Sequence, residues 1–200
     1  MDFTTVETFE NTIAKFYKSP YAIAVDCCTH GVELCLRYTE ANNIGIPTRT
    51  YISIPFTAEK LGLNWVFEDY RWQDYYKISN TNIIDAAVFW RKGGYIPETF
   101  MCLSFQFQKH LSLGKGGMIL TDNLEAANSL KKMSYDGRLP DKPWREQNIS
   151  SMGYHYYMTP EVAQKGLDKM SDAKKREPRQ WVWEDWPDLR QMEIFKTKTK

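Results

Sequence analysis

Val6, Phe9, Ile13 and Phe16 recur at helical spacing and predict a helix from about 5 to 17 with one buried face. Thr4-x-x-Glu7 reads as its capping box. Ser19-Pro20 breaks the pattern, and Tyr21 to Val25 is a short continuous apolar run of the kind buried in a parallel sheet. A helical pattern returns through Val32, Cys35, Leu36 and Thr39. Asn42 to Pro47 reads as loop, Thr50 to Ile54 as an alternating strand, Thr57 to Leu61 as helix and Trp65 to Phe67 as strand. The stretch from Asp69 to Asn82 is aromatic and polar, without the periodicity of a strand-helix unit. Strands follow at Asn82 to Ala87, Met101 to Phe105 and Met118 to Leu120, the last two separated by the turn Gly114-Lys115-Gly116-Gly117. Leu124, Ala127, Leu130 and Met133 share one face of a helix over 123–133, and 137–148 is loop. Thr159-Pro160 opens a last helix, as an N-cap followed by proline in the first turn. Strands alternating with helices predict an α/β fold.

Three positions in this pattern carry candidate chemistry. Lys109 lies just past a buried strand, where a lysine can lose solvation and act as a neutral nucleophile toward a carbonyl, although an arbitrary lysine is far more often an ordinary surface residue. The junction Asp26-Cys27-Cys28-Thr29-His30-Gly31 joins a strand to a helix start, whose first amides attract anions, with the Thr29 hydroxyl at hand. Many such turns bind nothing. Asp85 sits on a predicted buried strand, so its carboxylate needs a partner.

The 200 residues, 42% hydrophobic and 14% aromatic, suffice for one substantial core. Lys and Arg total 26 against 25 Asp and Glu, a formal charge of +1 that offers no global field for nucleic acid or an anionic membrane, so no partner of either kind is expected. Cys27, Cys28, Cys35 and Cys102 form no CxxC, so neither a disulfide framework nor a metal site is expected. The amphipathic, acidic start and the lack of an apolar run of about 18 residues predict a cytoplasmic chain.

Ser104-Phe-Gln-Phe-Gln-Lys109 followed by Gly-Lys-Gly-Gly resembles the cofactor-lysine segment of the DegT-like sugar aminotransferases, enzymes of pyridoxal 5'-phosphate (PLP) fold type I. Asp85-Ala86-Ala87 is similar to the family's acidic-Asp-Ala-Ala segment. The resemblance implies a three-layer sandwich with a mostly parallel central sheet, a reduced version of the fold type I large domain. Residues 1–172 would form that domain and 173–200 a tail rich in tryptophan, with no separate small domain. It also implies that the strand-helix unit usual before the Asp-Ala-Ala strand is deleted.

The resemblance assigns roles residue by residue. Lys109 is implied as the Schiff-base lysine and acid/base, Asp85 as the partner of the pyridine nitrogen, Thr29 and Ser104 as phosphate anchors and Tyr51 as the residue stacked on the cofactor ring. Cys27 and Cys28 stand where the family's phosphate turn has Ser and Gly, and Val88 where it often has a polar residue. His155 and Tyr157 replace the Asn and Arg of a Gly-Tyr-Asn-Tyr-Arg-Met segment that reaches the neighbouring subunit's cofactor phosphate. A homodimer is therefore implied, with an amino-acid donor such as glutamate and a keto-sugar acceptor, nucleotide-linked, as substrates. The alternative is a degenerate, inactive relative that keeps the fold and acts by binding or regulation; Val88, His155 and Tyr157 suit it.

Overall fold

The computed structural model describes residues 2–199, and the side chains of residues 2–196. Helix α1 (Phe3–Tyr17) buries Val6, Phe9, Ile13 and Phe16 as their spacing predicts. Its cap is Asp2, whose carboxylate accepts from the Thr4 amide at 3.0 Å, in place of the expected Thr4-Glu7 box. Next come β1 (Tyr21–Val25), α2 (Cys28–Tyr38), β2 (Asn43–Pro47), α3 (Ser53–Leu61), β3 (Asn64–Glu68) and β4 (Tyr76–Lys77). The chain continues through β5 (Ile83–Asp85), β6 (Phe100–Ser104), β7 (Gly117–Thr121), α4 (Leu124–Ser134) and α5 (Pro160–Lys175).

The layers follow from the two-residue period of the strands. Ile23, Val25, Ile83, Phe100, Cys102 and Ile119 join one core with Val32, Cys35 and Leu36 of α2 and Ala126, Ala127 and Leu130 of α4. Ala24, Ile84, Met101, Leu103, Met118 and Leu120 point the other way, onto Phe9 and Ile13 of α1 and Ala163 and Met170 of α5. Both faces of the sheet are covered, which makes the three-layer sandwich expected from the sequence.

The central sheet has the order β1-β7-β6-β5-β4. Only β5 and β6 pair in parallel; β1 with β7, β6 with β7 and β4 with β5 are antiparallel. The sheet is thus mixed, where a mostly parallel one was expected. The reason is the path of the connections rather than the presence of a helix: the turn 78–82 after β4 is too short to cross over and β5 returns antiparallel, whereas 86–99, also without a helix, crosses over and leaves β6 parallel to β5. Between Asp69 and Asn82 the chain forms no helix and supplies β4.

Residues 42–54 correct the sequence reading. The expected loop contains β2, which pairs in parallel with β3, and the expected strand at 50–54 is instead a turn leading into α3. Gly45 and Pro47 look like breakers, but Gly45 is a close-approach position. A Cβ there would meet the Glu68 carboxylate at 2.1 Å. Gly45 also bridges to Ser79, which joins the β2–β3 pair to the region just past β4.

Helix α5 runs through Lys175, past the expected boundary at 172. The segment after it docks on its own chain. The Trp183 amide donates to the Trp72 carbonyl at 3.0 Å, the Leu189 amide to the Thr48 carbonyl at 2.8 Å, and Leu189 and Phe195 are buried. Among the described residues, no helix is long and apolar enough to cross a membrane.

Candidate active site

A cavity of about 320 Å³ opens where the β1–α2 turn, the start of α3 and the ends of β5 and β6 converge. It is lined by Cys28, Thr29, Tyr51, Asp85, Ser104 and Lys109, six of the eight residues that the sequence analysis singled out.

The turn after β1 begins α2 at Cys28, and its N-cap, Cys27, makes no side-chain capping bond. The first amides of α2 thus keep their capacity to bind an anion. The missing glycine is accommodated because the Cys28 thiol turns to the core and donates to the Cys102 carbonyl at 3.4 Å. Burial raises that thiol's pKa well above the ordinary range, so it stays protonated. The glycine that the site needs lies across from it. At Gly117, the first residue of β7, a Cβ would stand 2.6 Å from the Cys28 nitrogen. The Thr29 hydroxyl pairs with that of Ser53 at 2.8 Å, which brings the start of α3 to the same rim.

Asp85 ends β5 and is buried at 6% exposure. Its Oδ2 accepts from the Tyr76 hydroxyl at 2.7 Å and its Oδ1 from the Ala87 amide at 3.0 Å. Tyr76 spends its one proton on Asp85, so the Thr50 hydroxyl, 2.5 Å away, must donate to Tyr76. Burial raises the Asp85 pKa; the bonds from Tyr76 and Ala87 and the charge of Lys109 work in the opposite direction.

Lys109 lies in the loop after β6, its amide donating to the Gln106 carbonyl at 2.9 Å. Its ammonium is 5.9 Å from the centroid of the Trp181 ring. Ser104 Oγ accepts from the Gln106 amide at 3.4 Å. Tyr51 is 62% exposed, a residue of the rim rather than of the floor.

His155 and Tyr157 do not reach this cavity. His155 pairs with Asp136 at 3.1 Å, and Tyr157 packs between Phe3 and Tyr135. The intervening Tyr156 turns the other way and stacks on His30 at 3.7 Å. Sequence reading also missed lining residues. Nothing in the local pattern marks Ser53, Gln106, Gln108 or the Asp85 partner Tyr76, whereas the tryptophan content of the tail did mark Trp181 and Trp186 as a docking segment.

His30, beside the site, gives a pH prediction. Burial opposes its charge, but hydrogen bonds to Asp26 and Cys27 outweigh burial and raise its pKa to about 9. A raised folded pKa stabilises fully below the unfolded value of about 6.5 and loses that contribution as pH rises through the folded one. Discounted for solvent screening, the gain is about 1 kcal/mol. Melting curves should show wild-type Tm falling by roughly 2–4 °C between pH 7 and 10, and His30→Gln losing most of that slope. Parallel slopes would show that His30 is not the group.

A sequence model of the DegT/DnrJ/EryC1/StrS aminotransferase family matches residues 2–97 and 90–185. The chain belongs to this family. Within the curated proteins, it is 26% identical over 183 residues to the uncharacterized protein MJ1066 of Methanocaldococcus jannaschii, covering 86% of this chain and 46% of that one. The fold matches the crystal structure of AtS13 from Actinomadura melliaura with a TM-score of 0.74 at 17% identity, over 88% of this chain and 61% of that one. It also matches a putative PLP-dependent aminotransferase from Bacillus cereus with a TM-score of 0.69 at 18% identity, over 86% of this chain and 59% of that one. This DegT-family chain therefore spans about half the length of the curated relative.

The cofactor of the family is PLP, and the donor set that lines this cavity fits it. A buried carboxylate suits a protonated pyridine nitrogen, a helix start with the Thr29 and Ser104 hydroxyls suits a phosphate, and Lys109 supplies the amine for a carbonyl.

Proposed function

We propose that this DegT-family chain is an aminotransferase that moves an amino group from an amino-acid donor, glutamate being the expected one, to a keto sugar carried on a nucleotide. The observation that carries the reading is that Lys109, Asp85, Thr29, Ser104 and Tyr51, from separate stretches of sequence, line one cavity. When bound, PLP supplies an electron sink for the negative charge left on the donor's α-carbon as its proton departs. The chain's own residues do the rest. Lys109 Nζ would hold the cofactor covalently and then carry the proton away from that α-carbon. The Asp85 carboxylate would keep a proton on the ring nitrogen, which gives this buried charge the counter-charge that Tyr76 alone, a neutral donor, cannot give. Thr29, Ser104 and the α2 amides would bind phosphate, and Tyr51 at the rim would cover the ring.

A second copy belongs to the same proposal. His155 and Tyr157 lie outside their own chain's cavity, on a segment that in the resembled family serves the neighbouring subunit. Nearby, Trp144, Ile149 and Met152 expose apolar side chains that a dimer interface would cover. Sedimentation equilibrium at low micromolar concentration should return a dimer; a folded monomer that still binds PLP would overturn the shared site.

The test of the whole reading is borohydride reduction followed by peptide mass spectrometry, which should find a pyridoxyl group on Lys109, together with amino transfer from glutamate. Val88, half-buried against the core with no polar group to offer, favours the inactive relative as the second reading. That reading forecasts the pyridoxyl adduct without turnover.

A further inference from the structure

Two indoles of the C-terminal segment, Trp181 and Trp186, line the same cavity as Lys109 and Asp85. They are held there. The Trp181 amide donates to Asp74 Oδ1 at 2.9 Å, and its carbonyl accepts from the Asp74 amide at 2.8 Å. Val182 bridges to Gln73, and the Arg49 guanidinium donates to the Trp186 carbonyl at 2.7 Å. Trp186 also packs on Trp72 with ring centroids 4.9 Å apart, and Trp181 on Trp186 at 5.4 Å. The residues that receive this segment, 72–74, lie between β3 and β4, so the segment lies against that connection and walls the site there.

The rest of the lining defines what that wall faces. Gln106 and Gln108 are neutral amides; Gln106 Oε1 accepts from the Gln108 backbone amide at 2.8 Å, which leaves the Gln106 side-chain NH₂ to donate to a ligand. Half-buried indoles next to neutral amides and hydroxyls complement a ring with apolar C–H faces and a polar edge. A charged group packed against this wall would call for fixed charge, and the charges next to the wall are already assigned. Asp185 is ion-paired with Arg179, and that guanidinium also covers the Trp181 ring at 3.8 Å.

From this lining we infer that Trp181 and Trp186 form the acceptor wall of the cavity, against which the sugar ring of the acceptor packs, while the donor and PLP rely on Lys109, Asp85 and the α2 turn. The inference rests on the sugar-aminotransferase reading. It assigns acceptor specificity to the segment after α5, outside the sheet and helices that hold the cofactor.

The experiment compares binding of dTDP-glucose, UDP-glucose and GDP-glucose with that of the bare dTDP, UDP and GDP, by calorimetry on the PLP-loaded, borohydride-reduced protein. For at least one pair, wild type should bind the sugar form about tenfold more tightly, the worth of one good aromatic contact. Trp181→Ala and Trp186→Ala should lose that difference while binding the bare nucleotide as before and carrying the pyridoxyl group on Lys109. Trp181→Ala retains the backbone bonds to Asp74, so the segment should stay docked even if Trp186→Ala, which loses the Trp72 contact, does not fold. Three equal pairs in wild type, or a difference that survives in both variants, would overturn the wall. A wild-type protein without pyridoxyl on Lys109 would instead sink the underlying functional reading.

Discussion

Lys109→Ala should leave no pyridoxyl group on the protein after borohydride reduction and should lower amino transfer by about four orders of magnitude, the upper range for removal of a general acid/base. The sequence offers a near competitor, Lys115 in the glycine-rich turn, and the structure separates the two. Lys115 pairs with Asp26 at 2.8 Å and is 66% exposed, and the hydrogen bond to Asp26 raises its pKa, which works against the neutral amine needed for attack on a carbonyl. Lys109 instead lines the cavity that holds Asp85. Folding should be unaffected, since an alanine in this loop keeps the amide bond to Gln106. A pyridoxyl peptide that contained Lys115 alone, in wild type, would reassign the nucleophile.

Asp85→Asn should retain covalent PLP and lose turnover by about 10²–10³, the range for removal of one preorganised electrostatic partner. Stability without cofactor should change little. Burial raises the Asp85 pKa, so the wild-type chain loses stability as pH rises through about 3.8 toward the folded value; an amide removes that cost at pH 7 but offers one acceptor oxygen for the two donors, Tyr76 and the Ala87 amide, that the carboxylate serves. The two effects oppose, so the apo variant should melt close to the wild-type temperature, and PLP should raise the Tm of wild type more than that of the variant. Unchanged turnover in Asp85→Asn would make the carboxylate a structural group. An apo variant that melts well below wild type would show that Tyr76 and Ala87 already compensate the charge.

The elements that periodicity makes legible are those whose burial is one-sided or complete along their length. Helix α1 shows itself through Val6, Phe9, Ile13 and Phe16, and β1 and β7 through unbroken apolar runs, because local sequence must match the core they face. The candidate cofactor residues that meet in one cavity were legible for a different reason: Ser104 to Lys109, Asp85 and the Thr29 turn keep a short-range order that resembles a known family, and order survives without any knowledge of distance. The strand β2 was not legible. Gly45 and Pro47 read locally as breakers, and β2 forms through parallel pairing with β3, which no local pattern records.

The sequence by itself determined the alternation of strands and helices and, through its resemblance to a known family, the layer architecture and the candidate site residues, since these rest on local pattern and order along the chain. Only the tertiary structure decided strand direction, the hydrogen-bond partners of Asp85 and the place of the tail. Direction depends on whether a connection crosses over, and the helix-free stretches 78–82 and 86–99 give opposite outcomes, antiparallel for β5 and parallel for β6. Tyr76 meets Asp85 because β4 and β5 pair antiparallel with these two residues in register. Trp181 meets Lys109 because a segment far along the chain hydrogen-bonds to residues 72–74. His155 and Tyr157 were named from sequence alone, and the fold turns them away from their own cavity because their segment pairs with the end of β1 at Val25.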